Sequence, residues 1–342
     1  MSGTRKSRIG RTAAAAAVGI LGASLAACSS SSSSAAPSSS SSSTASGSSA
    51  AAAGPFTIGV MINDTTNPFL AAMGSAMTAE AKKYNMTVDI LNGNTDNSTE
   101  LADVQDLINK HVNALFLTPS DPVAILPGVK QANQAGIPVF DVNSAIASGG
   151  QLVTYIGDSD YQYGVDEGKM AAQAIGGKGN VAILLGVLGD APEVDRLNGI
   201  KSVFAKYPGI HIVTTEVDNW VNATNLSDTQ DLLSKYPKGQ LQAVIAEGPE
   251  MYVGAAYAAK VGRSEIKFIA GDYSTQVEAG IKAGQLYGTV NQSPVTEGQD
   301  SIIAAYDWLT GKKSAVSTPD DYVPLPLVTQ SNVSQFPAEW SG

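Results

Sequence analysis

Short apolar runs alternate with longer amphipathic stretches along most of this chain. The runs Phe56–Ile62, Thr87–Leu91, Ala114–Leu117, Pro138–Val142 and Val153–Ile156 read as buried strands. A second set follows at Asn180–Leu185, Ile210–Val217, Ala243–Ala246, Lys267–Ala270 and Gly288–Val290. Between them lie helical segments: Phe69–Tyr84, Thr99–His111, Val123–Ala135, Val194–Tyr207, Leu226–Lys235, Met251–Val261 and Gln276–Ala283. Strands that alternate with helices imply βαβ units and parallel sheets covered on both faces. Two such sets in a body of roughly 290 residues predict two similar lobes, each with its own core.

In open α/β sheets ligands bind beyond the carboxyl ends of the strands, so the residues that follow each run are the informative ones. In the first set the exits carry Asn63-Asp64 with Asn67-Pro68-Phe69, then Asn92 and Asn94, Thr118-Pro119-Ser120-Asp121, and Asn143-Ser144. In the second they carry Asp190 to Glu193 with Arg196, Asp218-Asn219-Trp220, Glu247-Gly248-Pro249-Glu250, Asp272-Tyr273 and Asn291-Gln292. Amides, hydroxyls and carboxylates recur in both sets. Such repetition predicts a cleft for a polar ligand.

The first 54 residues change the picture of where the protein works. Arg5, Lys6, Arg8 and Arg11 precede an uncharged stretch from Thr12 to Ala27 that closes with Leu25-Ala26-Ala27-Cys28. A basic head, an apolar middle and small residues at the cut describe a secretory signal over 1–27. The quartet resembles a bacterial lipobox, which makes Cys28 the expected lipidation site and membrane anchor. From Ser29 to about Gly54 the chain is nearly all serine and alanine, a composition that cannot bury enough apolar surface to order itself. As a flexible coil this tether over 28–54 spans roughly 30 Å.

Charge and chemistry narrow the function. Lys and Arg total 21 and Asp and Glu 31. Four of the basic residues lie in the signal, leaving 17 against 31, a net charge of −14. So acidic a chain is repelled by phosphate backbones, so no nucleic-acid partner is expected. Cys28 is the only cysteine, and its lipidation leaves no thiol for disulfides, metal or nucleophilic attack. The two histidines, His111 and His211, fall at the strand entrances, away from the exits. No zinc-protease, nucleophile-elbow, phosphate-loop or dinucleotide glycine motif occurs. No cofactor and no metal are expected, and a binder fits better than an enzyme.

Several segments, in order, carry a specific resemblance. Thr57 to Phe69, Glu100 to Ile108, Thr118 to Asp121, Ala135 to Val139 and Ile156 to Gly164 are similar to ribose-binding-protein-like solute receptors of ABC importers. So are Arg196 to Ile200, Glu250 to Gly254, Gly271-Asp272 and Gly288 to Gln292, the set covering essentially all of 56–330. The resemblance implies an α/β type I periplasmic-binding fold, with two Rossmann-like parallel-sheet lobes joined by a three-crossover hinge. The crossovers fall near Asp158, Gln292 and Pro324. That divides the body into an N-terminal lobe (55–158 and 293–323) and a C-terminal lobe (159–292 and 324–342), with a helix around Val295–Leu309 packing back on the first.

Carried over residue by residue, the resemblance places Asn63, Asn67, Phe69, Thr118, Asn143 and Ser144 on the N-lobe wall. It places Arg196, Trp220, Gly248 and Asp272 on the C-lobe wall and Gln292 at the hinge. Sugar-binding relatives commonly carry Asp-Arg where this chain has Asn143-Ser144, and Asn-Asp where it has Gly248-Pro249. Those departures point away from ribose toward a polyol, another monosaccharide or a less hydroxylated solute, with Glu247 supplying a shifted replacement for the lost amide. The expectation is a monomeric, lipid-anchored receptor that closes over a small polar ligand and delivers it to an ABC permease. A receptor subunit for a membrane signalling partner and a secreted α/β hydrolase stay open as alternatives. A sugar-responsive repressor would need a DNA-binding motif before residue 56, where the signal and tether lie.

Overall fold

The computed structural model describes residues 55–342. The expected signal peptide, Cys28 and the serine tether lie outside the described residues. The first half runs β1 (Phe56–Ile62), α1 (Pro68–Ala81), β2 (Met86–Asn92), α2 (Asn97–Asn109), β3 (Ala114–Thr118), α3 (Leu126–Gln134), β4 (Val139–Val142) and β5 (Tyr155–Gly157). The second half continues with α4 (Asp160–Ala174), β6 (Lys178–Leu185), α5 (Ala191–Phe204), β7 (Gly209–Val217), α6 (Asn222–Lys235), β8 (Ala243–Ala246), α7 (Met251–Lys260), β9 (Lys267–Gly271), α8 (Thr275–Lys282) and β10 (Gly288–Val290). The chain then adds α9 (Pro294–Leu309), β11 (Asp320–Tyr322) and β12 (Leu327–Thr329).

These strands form two six-stranded sheets, ordered β11-β5-β4-β3-β1-β2 and β12-β10-β9-β8-β6-β7. All pairings are parallel except β10 with β12. Each sheet is covered on both faces, as parallel sheets require. In β3, Ala114 and Phe116 enter one apolar layer while Leu115 and Leu117 enter the opposite one. In β6, Ala182 and Leu184 split from Val181 and Ile183 in the same way. The strict two-residue period of a strand produces this division.

The chain passes between sheets three times: from β5 into α4, from β10 into α9, and from β11 to β12. Helix α9 packs on α1 of the first lobe, whereas α4 packs on α5 of the second. Residues Val333, Phe336 and Ala338 join the second lobe's core, but the Trp340 ring is buried in the core of the first.

Two short strands and two helices, α4 and α9, were absent from the periodicity reading, α9 having come from the resemblance. β11 and β12 have three residues each and lie among Pro319, Pro324 and Pro326; pairing with β5 and β10 makes them strands. Helix α4 carries Gly164 and Gly168, which weaken its helical signal. Their role is close packing: a Cβ on Gly164 would lie 1.9 Å from the Arg196 carbonyl oxygen, and one on Gly199 would lie 2.3 Å from that of Tyr161. Backbone therefore touches backbone, and this contact sets Arg196 against α4.

Candidate functional site

The strand exits of the two sheets face one another across a cavity of about 870 Å³, its open mouth included. From the first lobe it is lined by Asn63, Asn67, Phe69 and Asn143, with Asp64, Leu70 and Thr95 beside them. From the second come Asp190, Arg196, Trp220, Glu250, Tyr252 and Asp272, with Gln292 at the crossover.

The first-lobe groups are held by local bonds. Asn67 is the N-cap of α1, its Oδ1 accepting from the N–H groups of Phe69 at 2.9 Å and Leu70 at 3.2 Å. Pro68 starts the helix with no N–H to satisfy. With its oxygen so engaged, Asn67 has Nδ2 left to donate into the cavity. Asn63 is buried, its backbone N–H donating to the Thr118 carbonyl at 3.0 Å and its Oδ1 unpartnered. Phe69 belongs at once to the first lobe's core and to the cavity wall. Asn143 has a positive φ of 67° and donates from Nδ2 to Glu297 Oε2 at 3.2 Å.

The second-lobe wall is built around one buried guanidinium. Arg196 donates from Nε to Asp160 Oδ1 at 2.9 Å, from Nη1 to the Glu247 carbonyl at 2.7 Å and from Nη2 to Gln292 Oε1 at 2.8 Å. Its carbon centre sits 3.8 Å over the Tyr163 ring. Tyr163 in turn fixes Asp272, accepting its N–H at 2.6 Å and donating to its Oδ1 at 3.1 Å. Burial pushes the Asp272 carboxyl up to about 7 despite the lowering pull of Arg196. Burial likewise raises Asp190 to about 7, against the Ser144 hydroxyl that donates to it. Glu250 is driven well above the carboxylate range by burial and by the charge of Asp218. Burial works against the charged form of each of these carboxyls, which eases their crowding around one guanidinium.

Trp220 follows Asn219, and both have positive φ, 57° and 55°. Asp218 holds this turn by accepting the Trp220 N–H at 3.0 Å. The indole lies in a slot between two strand exits. A Cβ on Gly186 would come within 2.1 Å of the ring and one on Gly248 within 2.5 Å, so glycine at both positions makes room for it.

Of the residues named from sequence, eight line the cavity: Asn63, Asn67, Phe69, Asn143, Arg196, Trp220, Asp272 and Gln292. Four sit behind it. Thr118 is fully buried at the end of β3, and its carbonyl holds Asn63. Ser144 reaches across to Asp190 on the other lobe. Glu247 accepts the Gly186 N–H at 3.0 Å, and Gly248 seats Trp220. Asp190 and Glu250, named at strand exits but not among the residues the resemblance implied, also line the cavity, as do Tyr252 and Gly342, which the sequence did not bring forward. Asp190 carried a readable signal, a carboxylate N-cap before a proline at a strand exit, whereas Gly342 carried none. His111 and His211 are exposed at the strand entrances. Among the described residues no group of three or more His, Cys, Asp or Glu could hold a metal ion. No described helix is long and apolar enough to cross a membrane.

Comparison with known proteins agrees with this geometry. The xylitol-binding protein of Mycolicibacterium smegmatis is 31% identical over 277 residues, spanning 81% of this chain and 78% of that protein. The ribose import binding protein of Bacillus subtilis is 32% identical over 275 residues, spanning 80% and 88%. Among solved structures, an ABC transporter solute binding protein of Bacillus halodurans with bound myo-inositol superposes with a TM-score of 0.76 at 25% identity, covering 83% of this chain and 97% of that one. Residues 58–313, which run from within β1 through α9 and carry all the cavity-lining residues but Gly342, match the family described as periplasmic binding protein domain, and the chain belongs to that family.

Proposed function

We propose that this protein is an extracytoplasmic receptor that captures a sugar or polyol and delivers it to an ABC permease. The observation that carries the reading is the pairing of walls: neutral amides with Phe69 on one side, a charged acceptor-rich set with Trp220 on the other. Phe69 and Trp220 offer apolar faces to a ring or carbon chain. Asn67 Nδ2 and Arg196 donate to hydroxyl oxygens, while Asp190, Asp272 and Asn63 Oδ1 accept from hydroxyl protons. Thr118, Ser144, Glu247 and Gly248 support these groups from behind.

The halves 55–158 with 293–323, and 159–292 with 324–342, rotate about the three crossovers. Ligand selects the closed arrangement because it touches both walls together. Relatives whose names specify xylitol or ribose, and a neighbour holding myo-inositol, support this ligand class. The family is one of binding proteins, so the hydrolase alternative falls away. We assign the anchor to lipidated Cys28 and the reach to the serine tether; Cys28→Ser is expected to release the protein from membranes into the medium.

A thermal-shift screen of sugars, polyols, amino acids and nucleosides against the chain lacking its first 54 residues tests the reading. At least one sugar or polyol is expected to raise the melting temperature. Stabilisation by amino acids or nucleosides alone would overturn it.

A further inference from the structure

Residues 336–342 belong to the second lobe by their backbone and reach the first by two side chains, Trp340 and Glu339. The Tyr273 hydroxyl donates to the Phe336 carbonyl at 2.7 Å, and the Thr275 N–H donates to the Trp340 carbonyl at 2.9 Å. Gln276 holds Gly342 twice, its Nε2 donating to the carbonyl at 2.6 Å and its Oε1 accepting the N–H at 2.9 Å. These anchors follow directly on Asp272 in the cavity wall. The Trp340 indole points the other way. It is 6% exposed, lies within the first lobe's apolar core and meets the Phe69 ring edge-on, with centroids 5.6 Å apart and planes at 84°. Glu339 adds a second tie, accepting from the hydroxyl of Ser293, the N-cap of α9, at 2.9 Å.

We infer that Trp340 is a positioning residue for the ligand, coupling Phe69 on one wall to the Asp272 loop on the other. The Phe69 ring lines the cavity and is backed by an indole whose backbone moves with the opposite lobe. Rotation of the lobes therefore shifts the indole relative to the phenyl it supports. The three covalent crossovers permit hinge motion. This fourth, non-covalent link ties that motion to the depth of the apolar wall, and so to the size of ligand accepted. The inference rests on the ligand-binding reading above for its binding measurements only.

One test needs no ligand. In the full chain, Gln276→Ala cuts the bonds to Ser341 and Gly342 without touching the first lobe. Coupling predicts that amide exchange rises about fivefold or more at Phe69 and Leu70, on the opposite lobe, as well as at residues 273–277. Acceleration confined to 273–277 and the segment 336–342 overturns the inference. A second test uses xylitol, myo-inositol and D-ribose as probes. For any probe that stabilises the wild-type chain, Trp340→Ala is expected to raise the dissociation rate about tenfold and to change the rank order of the three, with Trp340→Phe restoring both. Unchanged rates and ranking, or an equal loss for every probe alongside a lower ligand-free melting temperature, overturns it. If none of these three stabilises the wild-type chain, the wider screen judges the sugar and polyol reading, and exchange in Gln276→Ala decides the coupling.

Discussion

On the first lobe the groups facing the cleft are mainly amides and one phenyl ring, held mostly by nearby backbone: Asn67 by its own helix, Asn63 by the adjoining strand. On the second lobe they are a guanidinium, several carboxyls and an indole; the indole's turn is held locally by Asp218, but the charged groups are held by partners far apart in sequence. Tyr163 and Asp272 are 109 residues apart, and Arg196 and Gln292 are 96 apart. Neutral groups with local anchors cost little to bury and tolerate a change singly. Buried charges depend on every partner being present, so one loss spreads through the set. The cavity is thus faced by one forgiving wall and one brittle one.

Arg196→Ala is the sharpest way to break this contrast. It strands Asp160 and the carbonyl of Glu247 in the interior. Removing one partner of a buried pair costs about 3–5 kcal/mol, so the ligand-free melting temperature is expected to fall by roughly 10 °C, read by calorimetry. A fall no larger than that of a first-lobe amide variant would erase the distinction. Trp220→Ala comes next, with ligand affinity expected to drop roughly tenfold to a hundredfold in a calorimetric titration while the fold persists.

The third prediction concerns pH. Asp190 and Asp272 titrate near 7 in the folded chain because they are buried, well above their values when unfolded. Between about pH 4 and 7 the unfolded chain releases these protons while the folded chain keeps them, so stability falls as pH rises through that window. The melting temperature is expected to be roughly 5 °C higher at pH 5 than at pH 7.5, and Asp190→Asn is expected to flatten that slope. A flat profile in the wild-type chain would show that both carboxyls are ionised in the fold. The smallest effect belongs to the first wall. Asn67→Ala removes a helix cap worth about 1 kcal/mol, or roughly 3 °C, and takes one donor from the cavity.

Much of the fold was legible. The apolar runs that predicted ten strands are ten of the twelve observed, with ends shifted by a residue or two. The missing pair, β11 and β12, contain three residues each, too few for a period to show. Helix α4 was hidden by glycines that serve its contact with α5 and weaken it in isolation. In the site, the strand-exit rule brought forward most of the polar lining, Asp190 and Glu250 included, because a strand end is marked locally by where an apolar run stops, and the resemblance picked out eight of the lining residues as ligand contacts. The exit rule also brought forward Glu247 and Gly248, which follow β8 but lie behind the wall, Glu247 buried and Gly248 against the Trp220 ring, since adjacency to an exit does not place a residue on the cavity.

The amino-acid sequence alone determined the alternation of strands and helices, the polar character of both rims and the helix start at Asn67-Pro68. Each of these rests on a period or cap spanning a few residues. Only the tertiary structure decided which rims face one another, that Ser144 meets Asp190 and not the cavity, and that Trp340 crosses to the other lobe. Those pairings join residues tens to hundreds of positions apart. They exist because closing two sheets around shared crossovers brings surfaces together that no local pattern links.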